Sequence, residues 1–186
     1  MTNGQRLTAL YCAERGGFDA SRGAVALLGH AVSQLFGIKL PKIQRTATGK
    51  PYFPERPDIC FSLSHTKTHI LAAVSDVPVG ADVETIRPVR YGLEERVCAP
   101  GELRDFDFFE LWVLKESFVK VMGETRVNPR DICFRRNGGR IVTPSGDIGA
   151  RLLNAIPGCA AAVCALGGDI PDKPAMADLA KILADY

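Results

Sequence analysis

GADVETIRP, Gly80 to Pro88, is the stretch from which the fold can be read outward. Its middle, Ala81-Asp82-Val83-Glu84, reads as a strand, and the apolar run Ile70-Leu71-Ala72-Ala73-Val74 lies just upstream. Side chains alternate across a strand, so Asp82 and Glu84 point to one face while Ala81 and Val83 point to the other. Strands are depleted in Asp and Glu, and two carboxylates side by side repel. The pattern makes sense if a cation, or a chemistry that uses one, sits against that face.

Length and composition narrow the classes. A chain of 186 residues buries a real core as one large domain or two small ones. Apolar residues make up 46% and charged residues 24%, the balance of a soluble globular protein. The net charge of +2 is too small and dispersed for nucleic acid to be the main partner. Apolar runs fall short of the ~20 residues that cross a bilayer. MTNGQRLTAL lacks the apolar core of a signal peptide, so a cytoplasmic location is expected. The six cysteines (12, 60, 98, 133, 159 and 164) show no C-x-x-C spacing and read as buried free thiols. Cys159 and Cys164, an odd number apart in GCAAAVCAL, fall on opposite faces if that run is a strand.

Ser21 to Phe36 reads as a helix, with Leu28, Val32, Leu35 and Phe36 on one face. Ser21 or Asp19 serves as its cap and Gly37 as its stop. TGKPYFPERP is turn-like. ICFSLSH and HILAAVSD read as strands, followed by VGADVE after the Val77-Pro78 turn. Phe106 to Met122 has no Gly or Pro and is the best helix, with Gly123 as its C-cap. DICFRR, Asn137-Gly138-Gly139 and RIVT predict a hairpin. GCAAAVCAL predicts a strand buried on both sides, and PAMADLAKILADY a last helix with Pro174 near its first turn. Each half thus gives one substantial helix and antiparallel strands. The class is α+β, in two pseudo-symmetric halves, 1–95 and 96–186.

Trp112, Glu116 and Lys120 share one helix face. On their own, Glu116 and Lys120 read as a surface ion pair, and Asp82 and Glu84 as an edge face paired with Arg87 and Arg90. Together, Asp82, Glu84 and Glu116 set three carboxylates on rigid elements. That is an all-oxygen set suited to magnesium, which commonly bridges carboxylates to substrate phosphates. Lys120 and Lys115 would then neutralise phosphate oxygens. Ser64-His65 puts a hydroxyl and an imidazole at a strand end. The HTKTH spacing of His65 and His69 lacks the glutamate and the helical setting of a zinc protease.

In this order, TGKPYFP, FSLSHT, VGADVETIRP and LWVLKESFVKVMG resemble the 4′-phosphopantetheinyl transferase superfamily. The closer likeness is to its surfactin-synthetase-activating type, with both halves in one chain. The family segments read G-K-P, N-x-S-H-S, G-I-D-I-E and W-x-x-K-E-x-x-x-K, and the likeness runs from about Ser21 to Met122. It implies an enzyme that moves phosphopantetheine from coenzyme A to a serine of an acyl- or peptidyl-carrier protein, releasing adenosine 3′,5′-bisphosphate. It also implies that Asp82, Glu84 and Glu116 hold magnesium (or manganese), and that Lys120 and Lys115 contact phosphates. Glu116 and Lys120 would be the catalytic pair. Ser64 and His65 would lie near the 3′-phosphate, Lys50 and Pro51 near the adenine, and Arg22 would be a further phosphate contact. A monomer between coenzyme and carrier is expected, with no nucleic acid and no membrane.

The chain also departs from the family pattern. No lysine precedes Lys39, Ser62 replaces the family asparagine, and the link from Pro88 to Trp112 is brief. The basic tip RRNGGR reads as a solvated hairpin turn. Two other classes fit the same residues: a non-catalytic module that binds coenzyme A or the carrier, and a magnesium-dependent phosphohydrolase with water as nucleophile.

Overall fold

The computed structural model describes residues 7–123, 127–167 and 169–185. In chain order it has β1 (Thr8–Glu14), α1 (Ala20–Phe36) and the short strands β2 (Gln44–Arg45) and β3 (Pro51–Tyr52). Then come β4 (Cys60–His65), β5 (His69–Ser75), β6 (Val79–Thr85), α2 (Leu93–Val97) and α3 (Phe108–Met122). The chain continues with β7 (Arg135–Asn137), β8 (Arg140–Val142), β9 (Ile148–Leu152), β10 (Cys159–Leu166), β11 (Ala175–Met176) and α4 (Leu179–Ala184). The fold is α+β.

Local chemistry sets both long helices where the sequence places them. Asp19 caps α1, its carboxylate accepting from the Arg22 N–H at 2.8 Å. Gly37 ends it with φ 67, a left-handed turn that glycine adopts without strain. At the start of α3 the Glu110 carboxylate accepts from the Asp107 N–H at 3.0 Å, and Gly123 closes the end with φ 72. The helix begins at Phe108, two residues later than the apolar run suggests, because Asp107 takes the cap.

Two sheets stack between the two helices. One has the order β11-β1-β5-β4, the other β6-β10-β9. Leu10, Cys12, Leu71 and Ala73 of the first pack against Val83, Ala161 and Val163 of the second. α1 covers the outer face of the first sheet through Leu27, Leu28 and Val32. α3 covers the outer face of the second through Leu111, Leu114 and Phe118. The layers therefore run helix, sheet, sheet, helix.

Several expectations are corrected. β1 has no period-two signal because it is an inner strand, between β11 and β5, with apolar contacts on both sides. β6 does not continue the β4–β5 ladder: the Val77-Pro78 turn carries the chain into the other sheet, where Asp82 pairs with Ala162 and Glu84 with Ala160. Pro174 does not open the last helix. It precedes β11, which pairs parallel with β1, and Asp178 caps α4 instead by accepting from the Lys181 N–H at 3.1 Å. The predicted DICFRR strand pairs only from Arg135, because Pro129–Asp131 form a 3₁₀ turn. The hairpin tip is as expected, Gly138 and Gly139 both taking positive φ. All six cysteines are free, and burial pushes the Cys12 thiol up to about 12. His65 and His69 flank a hairpin turn, not a helix.

Candidate active site at the seam between the sheets

β4 and β6 are edge strands of different sheets, joined by serine hydroxyls in place of a backbone ladder. Ser62 and Ser64 alternate with Phe61 and Leu63, which pack in the α1-side core, so both serines face β6. The Ala81 N–H donates to Ser62 Oγ at 2.9 Å, and the Val83 N–H to Ser64 Oγ at 3.3 Å. Ser64 in turn donates to Asp82 Oδ1 at 2.7 Å. The edge of β6 is thus satisfied by side chains, and Asp82 is held in one orientation.

The opposite wall is α3, which lies unusually close to β6. Along β10 it meets the small side chains of Ala160, Ala162 and Cys164, and β6 offers Gly80. A Cβ on Gly80 would lie 2.7 Å from the Val121 nitrogen and 2.9 Å from Lys120 Cβ, with the Ser117 carbonyl nearer still. Because the backbones meet here, Lys120 reaches Asp82 Oδ1 at 2.7 Å and the Ala81 carbonyl at 2.9 Å. Lys120 therefore pairs with Asp82 and not with Glu116.

Glu84, two residues along the same face, accepts from Arg87 at 2.5 Å, as one reading of the sequence had it. Glu116 forms no side-chain hydrogen bond among the described residues. Burial raises its pKa first, then repulsion from Asp82, with Lys120 pulling the other way and Glu84 adding a smaller push. Asp82 and Glu84 therefore both act on Glu116.

Beside Lys120 a cavity of about 220 Å³ opens, lined by Thr48, Lys50, Pro51, Phe61 and Val119. Lys50 donates to the Val121 carbonyl at 3.1 Å, tying the β2–β3 hairpin to the C-terminus of α3, and burial lowers its pKa. Lys50 and Pro51 thus stand at the site, as do Asp82, Glu84, Glu116, Lys120 and Ser64. His65 is exposed at the end of β4, and Arg22 is exposed on the first turn of α1.

Lys115 is not brought to this group. Its ammonium is buried, 2.6 Å from Glu102 Oε2, 2.9 Å from the Pro129 carbonyl and 2.8 Å from that of Ile132. Glu102 also accepts from the N–H groups of Ala99 at 2.6 Å and Phe134 at 2.8 Å. This buried hub fastens the loops around α3. The sequence reading missed Glu102, Gly80 and the bridging role of Ser62. A glycine and a serine at alternate positions on neighbouring strands were visible, but not which edges would meet.

Among the described residues, no group of three or more His, Cys, Asp or Glu side chains is disposed to hold a metal ion as it stands. Asp82 is held by Lys120 and Ser64, and Glu84 by Arg87. No helix of the described residues is long and apolar enough to cross a membrane.

Fold and site define an α+β protein with an acid–lysine site shared between a sheet edge and a helix. No protein-family model matches the chain. Curated proteins do. The 4′-phosphopantetheinyl transferase psf-1 of Bacillus pumilus is 32% identical over 110 residues, 53% of this chain and 47% of the relative. The 4′-phosphopantetheinyl transferase ffp of Bacillus subtilis is 29% identical over 144 residues, 69% and 64% of the two chains. The 4′-phosphopantetheinyl transferase Sfp of Bacillus subtilis strain 168 is 28% identical over 151 residues, 73% and 67%. The chain spans about half the length of the first of these and about two thirds of the others. The chain is similar to these 4′-phosphopantetheinyl transferases, the Sfp type among them.

Proposed function

We propose that the protein transfers 4′-phosphopantetheine from coenzyme A to a serine of an apo acyl- or peptidyl-carrier protein, with a divalent cation, releasing adenosine 3′,5′-bisphosphate. The observation that carries this is the Asp82–Lys120 contact at 2.7 Å, which joins two of the family-like segments, with Ser64 of a third on the same carboxylate oxygen. The names of the relatives support the reaction class.

Magnesium or manganese fits the donor chemistry, because the acids are all oxygen ligands, and the burial and the neighbouring Asp82 that raise the Glu116 pKa are what a hard cation relieves. Asp82, Glu84 and Glu116 would hold it once Lys120 and Arg87 give way. When bound, the cation supplies charge neutralisation at the pyrophosphate and polarises the phosphorus under attack. Glu116 takes the proton of the acceptor serine hydroxyl. Lys120 has three N–H donors and spends two on Ala81 and Asp82, so the third is free for a phosphate oxygen. The Lys50–Pro51 cavity receives the adenine, and Ser64, His65 and Arg22 face the 3′-phosphate side. Lys115 has no part in phosphate binding here, its three donors being spent in the core. The coenzyme would lie between two related halves, 1–95 and 96–186, in a cytoplasmic monomer. Each sheet carries one long helix, which supports a paired arrangement, although β6 crosses into the second sheet and β11 into the first.

The test is to incubate the protein with coenzyme A, magnesium and several apo carriers, and weigh the carriers. A gain of one phosphopantetheine is expected. Free phosphopantetheine would mark a hydrolase, and coenzyme A binding without either product a binding module.

A further inference from the structure

The ammonium of Lys120 is held at two points, and a serine of β4 holds each point in turn. One is Asp82 Oδ1, which also takes the Ser64 hydroxyl. The other is the Ala81 carbonyl, and its holder is Ser62. Alternate residues of β6 turn their backbone groups toward β10, whereas Ala81 turns its own toward β4. No backbone ladder joins β6 to β4 there. Ser62 Oγ accepts from the Ala81 N–H at 2.9 Å and donates to the Ala81 carbonyl at 3.4 Å. One hydroxyl, 6% exposed, thus serves both backbone groups of one residue.

A lysine needs this kind of support. Its ammonium is a point charge on a flexible four-carbon stem, without the fixed fork by which arginine aims its donors. Two fixed acceptors supply the aim: with one N–H on Asp82 and one on Ala81, the direction of the third is set. Ser64 fixes the first acceptor by touching it, and Ser62 fixes the second. Ser62 also lines the cavity beside Lys120, yet its one O–H is spent on Ala81.

We infer that Ser62 is a positioning residue: it fixes the Ala81 carbonyl and, through it, the direction in which Lys120 presents its free N–H. The inference rests on the proposed transfer reaction for what that N–H meets, and adds the group that aims it. A serine that only satisfied a buried amide would stabilise the fold without acting on Lys120. The two roles differ in what happens when Lys120 is absent.

Two measurements test it, and the first needs no turnover. Acetylation by a water-soluble succinimidyl ester, read peptide by peptide in a mass spectrometer, reports how firmly each lysine amine is held. Lys120 should react several-fold faster in S62A than in wild type, and near the wild-type rate in S62T, which keeps the hydroxyl. Lys67 and Lys173, exposed on the surface, should react alike in all three. The second is a cycle of S62A, K120A and the double variant, read as single-turnover transfer and as melting temperature. S62A should slow transfer roughly tenfold or more, as small misplacements of a reacting group do. In the K120A background it should cost almost no further rate, while lowering the melting temperature as it does alone. If S62A does not fold, S62C takes its place, since a thiol keeps the size and is only a weak donor and acceptor. Unchanged acetylation of Lys120 would overturn the inference. So would a rate loss that is equal with and without Lys120, the mark of a serine that only supports the fold. If wild type modifies no carrier, the transfer reaction falls, and the acetylation still decides whether Ser62 holds Lys120.

Discussion

Asp82 and Lys120, 38 residues apart in sequence, meet at 2.7 Å across the seam between a strand edge and a helix. One oxygen of Asp82 takes both this ammonium and the Ser64 hydroxyl, while the Ala81 carbonyl takes a second donor of the same lysine. Removing Lys120 would leave a mostly buried carboxylate with only the serine. Lys120→Ala should cost ~1–3 kcal/mol in urea unfolding, as an under-satisfied buried charge does. Transfer should fall by ~10²–10³, the usual cost of deleting a preorganised charge-stabilising donor. A variant as active as wild type would remove Lys120 from the site.

Glu116 predicts a stability cost that function imposes. Burial and the neighbouring Asp82 raise its pKa in the folded protein above the ordinary carboxylate value. A group with a raised folded pKa stabilises fully below its unfolded pKa, and this contribution is lost as pH rises through the folded value. Near neutral pH, above the ordinary carboxylate range, Glu116 without metal is therefore a burden on the fold. E116Q should melt higher than wild type there, and the gap should close as pH is lowered through the carboxylate range. Added magnesium should stabilise wild type more than the variant. Turnover should fall ~10²–10⁴-fold, the contribution of a general base. A variant that melts lower at neutral pH and keeps its rate would sink both readings.

The pair Glu102 and Lys115 separates a structural lysine from a phosphate contact. Their side chains are 0% and 3% exposed, and breaking such a buried pair from one side costs ~3–5 kcal/mol. E102Q and K115M should each be destabilised by that much in denaturant titrations. The double variant E102L/K115M should recover part of the loss, since neither charge is then stranded. The part of K115M that stays folded should bind coenzyme A as wild type does. Weakened binding at full folding would return Lys115 to the phosphates.

Helix α3, its glycine stop, the Asp-x-Glu strand and the β10 strand were legible because each rests on local signals: caps, period and the absence of breakers. Sheet membership was not. β5 and β6 are consecutive strands with a three-residue turn, and nothing local says that β6 leaves for β10. β1 was silent because apolar contacts on both sides leave no alternation. Of the residues gathered at the candidate site, Asp82, Glu84, Glu116 and Lys120 could be named from the pattern. Lys115 was misleading. It lies beside Glu116 in sequence but points 100° away around the helix, into the core with Glu102.

Gly80 sets how close α3 comes to the acids, and one added methyl tests it. The sites a Cβ would strike are the backbone of Ser117 and Val121, which cannot turn aside as a side chain can. Overpacking of this kind typically costs ~1–3 kcal/mol, and the helix must move outward to make room. Lys120 would then draw away from Asp82. Trp112 is the single tryptophan of the chain and lies on α3, so its fluorescence reports the shift directly. G80A should change Trp112 emission in the folded state, lower the melting temperature, and reduce transfer more than stability alone explains. G17A is the control, because a Cβ there meets nothing within 4 Å. If G80A folds, melts and turns over like G17A, the close approach of strand and helix does not position the site.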